Sequence, residues 1–297
     1  KRYLFIKFNI FKMTLNFSNL TVLLVSFKSD EQILRLLSKF DKKINIIIVE
    51  NSRNRNFKSF VEQKYKNVKV LVPKINKGWG SAINYAIKKT KTKYIMTLDC
   101  DISITNKNIS NLLQTAKKLT SFGVIMPKIH KQKYNDLIIG YDELNKLSIL
   151  SFSTGCVMLF KRKTFLQMGS FDENYFLYFE ETDFFTRCIK NKKKIYLYEK
   201  FEVKHAGSRS INLKYKNDYL IFRSWHYCWS KFYYYRIHQN YYAALSKTFP
   251  NLKKSIFGMI KNLISGNSLN FKLHNAEFRG LIKSYLLMKS KNRMKIN

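Results

Sequence analysis

Two aspartates one residue apart, Asp99 and Asp101, follow the apolar run Tyr94–Leu98 and form the most chemically suggestive pair in this 297-residue chain. Alternation along an extended segment would send both carboxylates to one side, and a turn would fan them around one cation. Hard divalent ions prefer such oxygens. The bland alternative is a pair of solvated loop aspartates, since D-x-D recurs by chance. A second cluster, Phe171–Asp183, sets Glu180, Glu181 and Asp183 among dense aromatics. Aromatic walls stack on sugar rings and exclude water, and a carboxylate at their edge can take a proton from a hydroxyl. The alternative is a helix N-terminus, whose dipole favours acids, and Asp183 can have that job alone. His205 follows a strand-like run; an imidazole beside carboxylates is a common cation site, although a lone histidine is more often structural.

These residues need elements to position them. Thr21–Phe27 and Ile44–Val49 read as strands, with helical spacing of Ile33, Leu34, Leu36 and Leu37 between them. Lys69–Val72 reads as a third strand, Ser81–Lys89 as a helix, and Tyr94–Leu98 as a fourth strand. Such alternation predicts a parallel sheet covered by helices, with ligands beyond the carboxyl ends of the strands. Three polar segments fall there: Glu50-Asn51-Ser52, Asn76-Lys77-Gly78-Trp79-Gly80 and Asp99-Cys100-Asp101. Polar Lys128–Asn145 reads as a surface excursion. Phe152–Phe160 reads as a strand, Thr164–Met168 as a short helix, Glu180–Lys190 as another helix, and Ile195–Tyr198 with Phe201–Val203 as extended chain. After Lys214 an aromatic, basic stretch, Tyr219 to Tyr242, precedes apolar residues at helical spacing and a last helix near Ala276–Met288.

The composition narrows the function. With 55 Lys+Arg against 19 Asp+Glu the formal charge is +36, yet 45% of residues are apolar, enough for a core and too many for a disordered basic tail. Four scattered cysteines without C-x-x-C suggest neither a zinc module nor a disulfide framework and fit a reducing cytoplasm. The uncharged run Leu147–Phe160 is shorter than the ~20 apolar residues of a spanning helix, so no transmembrane segment is expected. Lys1–Phe11 is interrupted by Lys7 and Asn9 and lacks a cleavage site, so no signal peptide is expected either, and Met13 is a candidate start. From His205 onward the only acids are Asp218 and Glu277, making the C-terminal third the electrostatic anchor. The charge alone admits nucleic acid, anionic membrane or phosphate-bearing ligands.

Taken in order, TVLLVSFKSD, IIIVENS, NKGWGSAINYAI, YIMTLDCD, STGCVMLFKRKTFLQMGSFDENYFLYFEETDFFTRC and VKHAGSRS resemble the family 2 glycosyltransferases of GT-A fold, particularly bacterial rhamnosyltransferase-like members. The resemblance covers about residues 20–210. It implies an α/β, Rossmann-like, mostly parallel central sheet flanked by helices, with residues 1–19 an extension, 20–213 the transferase domain, and 214–297 a basic, aromatic helical extension. It further implies an inverting enzyme that moves a sugar from a nucleotide-diphosphate donor to a hydroxyl of a glycan or lipid-linked acceptor in cell-envelope polysaccharide synthesis. Asp101 and His205 would hold a Mn or Mg ion on the donor diphosphate, and Asp99 would contact ribose or sugar. Glu50 stands where the family usually has a base-contacting aspartate. The donor site would comprise Ser26, Glu50, Asn76, Gly78, Asp99, Asp101 and Gly155, with Gly155 on the strand beneath the sugar.

In the family's E-D-x-D stretch the second acid is the base, which implies Glu181, with Glu180 the runner-up and Asp183 a structural or acceptor-orienting acid. A nucleotide diphosphate leaves without protonation, so one base suffices, unlike the carboxylate pair of glycosidases. The expected location is cytoplasmic, peripheral at an anionic inner membrane face through Tyr219–Lys291, with Trp225, Trp229 and Tyr233–Tyr235 near the interface. The rivals are a nucleotidyltransferase, whose glycine-rich phosphate loop is missing from Ser26–Asp30, a basic nucleic-acid-binding protein, and a transferase that has lost catalysis. Nucleic-acid binding gives no reason for the Asp99, Asp101, Glu181 and His205 set, and nucleic acid is not expected as a partner.

Overall fold

The computed structural model describes residues 15–205, 216–290 and 292–293. Its ten strands are β1 (Leu20–Ser26), β2 (Asn45–Glu50), β3 (Val68–Leu71), β4 (Tyr94–Leu98), β5 (Ile102–Ser103), β6 (Val124–Ile129), β7 (Ile138–Asp142), β8 (Leu147–Leu150), β9 (Val157–Lys161) and β10 (Ile195–His205). The sheet runs β3-β2-β1-β4-β9-β6-β10-β8-β7, with β5 pairing β10 off that path. Its first four strands are mutually parallel. Beyond them β9 lies antiparallel between β4 and β6, and β6 and β10 pair in parallel, so the second half of the sheet is mixed.

Residue alternation builds two cores, because successive strand side chains face opposite sides of the sheet. Val22 and Leu24 of β1 and Ile46 and Ile48 of β2 enter one core. It is covered by α1 (Asp30–Leu37), α2 (Arg55–Lys64) and α4 (Asn106–Lys118). Leu23, Ile47 and Val49 enter the other, under α3 (Gly80–Ile87), α5 (Arg162–Gln167) and α6 (Glu180–Lys190). Burial on both faces explains why β1 and β2 read as continuous apolar runs. Helix starts follow local chemistry: Asn54 caps α2 by accepting from the Phe57 N–H, and Thr105 caps α4 by accepting from the Asn108 N–H.

Three helices, α7 (Lys216–His238), α8 (Tyr241–Ile264) and α9 (Ser268–Tyr285), form the C-terminal extension. Trp225 and Trp229 pack with Ala276 in a third core. This corrects the expectation that both tryptophans sit at a membrane interface: they are 5% and 4% exposed. The Tyr233–Tyr235 run is likewise engaged by the protein. Tyr233 donates to Asp172 and Tyr234 bonds Thr186, because the aromatic face of α7 covers the loop before α6. Aromatic pairs Phe176–Phe222, Tyr175–Tyr233 and Phe179–Tyr234 fasten that cover.

The expected surface excursion at Lys128–Asn145 is in part a strand: β7 pairs β8 and extends the sheet at its far edge. The strand expected over Phe152–Phe160 begins only at Val157, and the segment before it crosses the carboxyl end of the sheet as irregular chain. Residues 1–14 and 206–215, and with them the Met13 start, most of the N-terminal extension and the boundary at 213, lie outside the described residues. None of the helices among the described residues is long and apolar enough to cross a membrane.

Candidate active site

The carboxyl end of β4 delivers Asp99, whose N–H donates to the Cys156 carbonyl at 3.0 Å and so ties the acidic turn to the segment entering β9. The chain turns at once, with the Ile102 N–H returning to the Asp99 carbonyl, and β5 then pairs antiparallel with the end of β10. That register sets His205 opposite Ile102 and brings its Nε2 to 3.1 Å from Asp101 Oδ1. One ligand atom each from Asp99, Asp101 and His205 lies within 4.8 Å of the others. Two carboxylates and an imidazole at that spacing are a donor set that suits Mn2+ or Mg2+, so the residues fit the expected cation.

The second acidic element approaches from the opposite wall. Tyr178 and Phe179 both adopt left-handed backbone conformations, φ 70° and 69°, and swing the chain into α6 so that Glu180 and Glu181 occupy its first turn. Left-handed aromatics are uncommon and are held by surrounding packing. Here Tyr178 packs on Tyr227 and Phe179 on Tyr227 and Tyr234, all from α7. A Cβ on Gly155 would come within 2.9 Å of the Glu181 side chain. Gly155 therefore makes room for Glu181, the candidate base.

Charge crowds this crevice. Burial, then the Asp101 carboxylate, push the Asp99 carboxyl well above its ordinary range, with Glu181 adding to the rise and His205 opposing it. Burial, then Glu181, raise Glu180 far above its usual value, and its Oε2 is a buried oxygen without a hydrogen-bond partner among the described residues. Burial raises Glu181 as well. The hydrogen bond that its Nε2–H donates to the Asp101 carboxylate holds the His205 imidazole above its ordinary value. Like charges pressed together out of water resist ionisation, so the arrangement favours a cationic guest.

The other expected residues divide clearly. Asp183 is 1% exposed and fully committed: Arg187 Nη2 lies 2.6 Å from one oxygen and His238 Nε2 2.8 Å from the other. It clamps α6 to α7 and is removed from the set of catalytic candidates. Glu50 is wholly buried, its two oxygens accepting the Ser52 and Asn54 N–H groups at 2.9 and 2.6 Å. It shapes the loop after β2 and presents no surface for a base, which corrects its expected contact. Ser26 is buried at the end of β1. Asn76 accepts from the Gly78 N–H, and Gly78, at φ 78°, takes a conformation where a Cβ would strike the Phe176 carbonyl. Asn51 braces this turn by donating to the Gly78 carbonyl and accepting from the Lys77 N–H.

Two contributors were not among the expected site residues, although Trp79 belongs to one of the expected loop segments. Trp79 hydrogen-bonds the Asp99 side chain. Arg223 of α7 bonds the Tyr178 hydroxyl, stacks its guanidinium on Tyr178 and Tyr219, and acts electrostatically on His205. An arginine set among aromatics was the available signal; only the docking of α7 brings it to the crevice. Beside Glu181 an open groove of about 400 Å³ runs between Phe152, Tyr178, Phe179, Tyr227, Tyr234 and Tyr235.

This helix-covered mixed sheet, with two aspartates, a histidine and a glutamate converging at its carboxyl edge, has the GT-A fold. The solved structures it resembles share that fold. The mannosyltransferase PcManGT from Pyrobaculum calidifontis, in complex with GDP-Man and Mn2+, matches with TM-score 0.57 at 13% identity over 90% of this chain and 86% of that one. S. aureus TarS 1-349 with UDP matches with TM-score 0.52 at 13% identity over 93% and 94%. GalNAc-T7 with UDP, GalNAc and Mn2+ gives 0.55 at 12% identity over 80% and 58%. The chain is similar to the family 2 glycosyltransferases: the model for glycosyl transferase family 2 matches residues 30–171, just under half of its length. The low-salt glycan biosynthesis hexosyltransferase Agl10 of Haloferax volcanii is 21% identical over 191 residues, 57% of this chain and 61% of that protein. The chain thus spans less than two thirds of that relative's length. Asp99, Asp101 and Gly155 lie inside the family match, and Glu180, Glu181 and His205 lie beyond it.

Proposed function

We propose that the protein transfers a hexose or deoxyhexose, rhamnose included, from a nucleotide-diphosphate donor to an acceptor hydroxyl with inversion at the anomeric carbon, as a step of cell-envelope glycan assembly. The observation that carries this reading is the convergence of Asp99, Asp101 and His205 with Glu181 in one crevice. Asp101 and His205, with Asp99 beside them, would hold a Mn or Mg ion, which when bound supplies positive charge against the diphosphate. The Arg223 guanidinium stands next to this set as a second cation for the leaving group. The Gly78 turn, braced by Asn51 and Asn76, and the β1 end at Ser26 form the floor against which the nucleotide packs.

Glu181 is the base of this reading. Its carboxylate accepts the proton of the acceptor hydroxyl as the oxygen attacks the anomeric carbon; the bond from that carbon to the diphosphate oxygen breaks, and its electron pair leaves with the nucleotide. The aromatic groove beside Glu181 supplies flat, water-excluding walls on which an acceptor sugar stacks. Glu180, buried deeper behind it, is the runner-up. The acceptor is a glycan or lipid-linked sugar, and the enzyme works in the cytoplasm, at the inner membrane face when the acceptor is lipid-linked. The Agl10 relative, by its name a hexosyltransferase of glycan biosynthesis, supports a glycan product.

The test is thermal denaturation with UDP-, GDP- and dTDP-sugars, with and without manganese, on wild type and Asp101→Ala. A ligand bound to the folded state alone raises the melting temperature. One nucleotide class is expected to do so in a metal-dependent way that Asp101→Ala abolishes. No shift from any of them, alongside tight salt-sensitive binding to nucleic acid, would overturn the reading.

A further inference from the structure

The C-terminal helices carry a second functional surface, remote in character from the acidic crevice. Helix α8 buries Ala244, Thr248 and Ser255, small and weakly polar residues, against its neighbours. Its opposite face is apolar and open to water. Phe249, Ile256, Phe257, Ile260, Leu263 and Ile264 recur about every three or four residues along some 22 Å of helix. Phe257, Leu263 and Ile264 are 68%, 71% and 83% exposed. This inverts the usual polarity of a surface helix, and an apolar face of that extent marks an interaction site.

Charge identifies what covers it. Helix α8 contains four lysines, Lys247, Lys253, Lys254 and Lys261, and no acid. Lys253 projects among the apolar residues, and Lys254 and Lys261 follow one flank at helical spacing. In all α9 there is one acid, Glu277, and it is engaged by His274 at 2.9 Å. An apolar stripe bordered by lysines matches the boundary of an anionic bilayer, where acyl chains meet phosphate headgroups. A second copy of this chain would set lysine against lysine. Spanning is excluded for α8 by its hydropathy, so the helix lies in the interface plane.

We infer that the outward face of α8 docks the protein on an anionic lipid surface, with Phe257, Ile260, Leu263 and Ile264 inserted below the headgroups and Lys253, Lys254 and Lys261 on the phosphates. This replaces, as the membrane contact, Trp225 and Trp229, which the helical core takes up, and Tyr233–Tyr235, of which Tyr233 bonds Asp172 and Tyr234 and Tyr235 line the groove beside Glu181. It rests on the membrane-side placement proposed above only for the identity of the bilayer leaflet; the stripe and its charge are independent of the transfer chemistry.

The experiment is co-sedimentation of the full chain with vesicles of phosphatidylcholine plus phosphatidylglycerol and of phosphatidylcholine alone. Wild type is compared with Phe257→Asp/Leu263→Asp and with Lys253→Glu/Lys254→Glu/Lys261→Glu. Wild type is expected to pellet with the anionic vesicles far more than with the neutral ones. Removing two inserted side chains weakens the partition by roughly tenfold or more. Reversing three lysines weakens it by about a hundredfold or more at low salt. All substituted positions are solvent-exposed, so the variants keep the wild-type melting temperature and the donor-induced shift, which separates a failure here from a failure of the transferase reading. Absence of wild-type binding, equal binding to both vesicles, or binding that survives both variants would overturn the inference. So would a wild-type dimer that the double aspartate variant converts to monomer, since the stripe would then be a contact between copies.

Discussion

Two groups of acids sit on the same helix and meet opposite fates. At the seam of α6 and α7, Asp183 is buried with both oxygens engaged, by Arg187 on its own helix and His238 on the next. One turn earlier, Glu180 and Glu181 are buried beside Asp99 and Asp101, and Glu180 Oε2 has no partner among the described residues. Folding alone favours the first arrangement, because an unpaired buried charge costs far more than a paired one. In the proposed function the second is compensated later, by a cation and a substrate. The contrast separates an acid that holds the fold from acids kept for chemistry, although the three lie within four residues.

The comparison breaks most sharply at the crevice. Asp101→Ala is expected to lower turnover on the order of a thousandfold and to abolish the metal-dependent donor shift while leaving the melting temperature at or above wild type. Steady-state transfer assays and calorimetry on one preparation check both halves. Glu181→Gln should cut kcat by roughly a hundredfold or more with donor binding unchanged, since it removes proton acceptance and little else. An unchanged kcat would move the base to Glu180.

At the seam the signs reverse. Asp183→Asn leaves Arg187 without its counter-charge and weakens the hydrogen bond to His238, and should cost about 3 kcal/mol of stability or more, read as a fall in denaturant midpoint, with activity per folded molecule largely kept. The pH response of the extension sharpens the same point. His226 is buried; its Nε2–H donates to the Asn292 carbonyl and its Nδ1 accepts from Ser290, the partners that fix this tautomer. Burial first, then the nearby Arg293, lower its pKa to about 3. The unfolded chain, with a histidine of ordinary pKa near 6.5, binds the proton more readily. The contribution of neutral His226 is therefore complete above about pH 6.5 and is lost as pH falls from there toward 3, at up to about 1.4 kcal/mol per pH unit. Melting curves should show that slope in wild type and a shallower one in His226→Gln. The smallest effect is expected at Gly155→Ala, whose methyl presses on Glu181 and should lower kcat about tenfold with little change in melting temperature.

Much of the fold was legible because it is locally written. Continuous apolar runs at β1, β2 and β4 and the helical spacing of α1 and α3 report burial on two sheet faces. Short strands were not: β5 is two residues long, and β7, with Ile138 and Ile139 exposed, lacks the alternation that betrays a half-buried strand. The tryptophans of α7 misled for a related reason. An amphipathic ring suits a membrane boundary and a helix seam equally, and periodicity along one helix does not reveal which partner is present.

What the sequence by itself determined is the kind of chemistry. Asp99 and Asp101 beyond a strand, acids among aromatics before a helix, and a histidine after a later strand named the candidate residues and the kind of ligand to expect. Tertiary structure decided which of them meet. His205 reaches Asp101 only because β5 pairs with β10, more than a hundred residues along the chain, and Glu181 reaches the same crevice only because Gly155 leaves room for it. It also decided that Asp183 and Glu50 are structural, since their partners are fixed by helix docking and by a loop's backbone amides. Residue type states what a side chain can do; burial and neighbours, which depend on contacts distant in sequence, set its charge, its freedom and therefore its use.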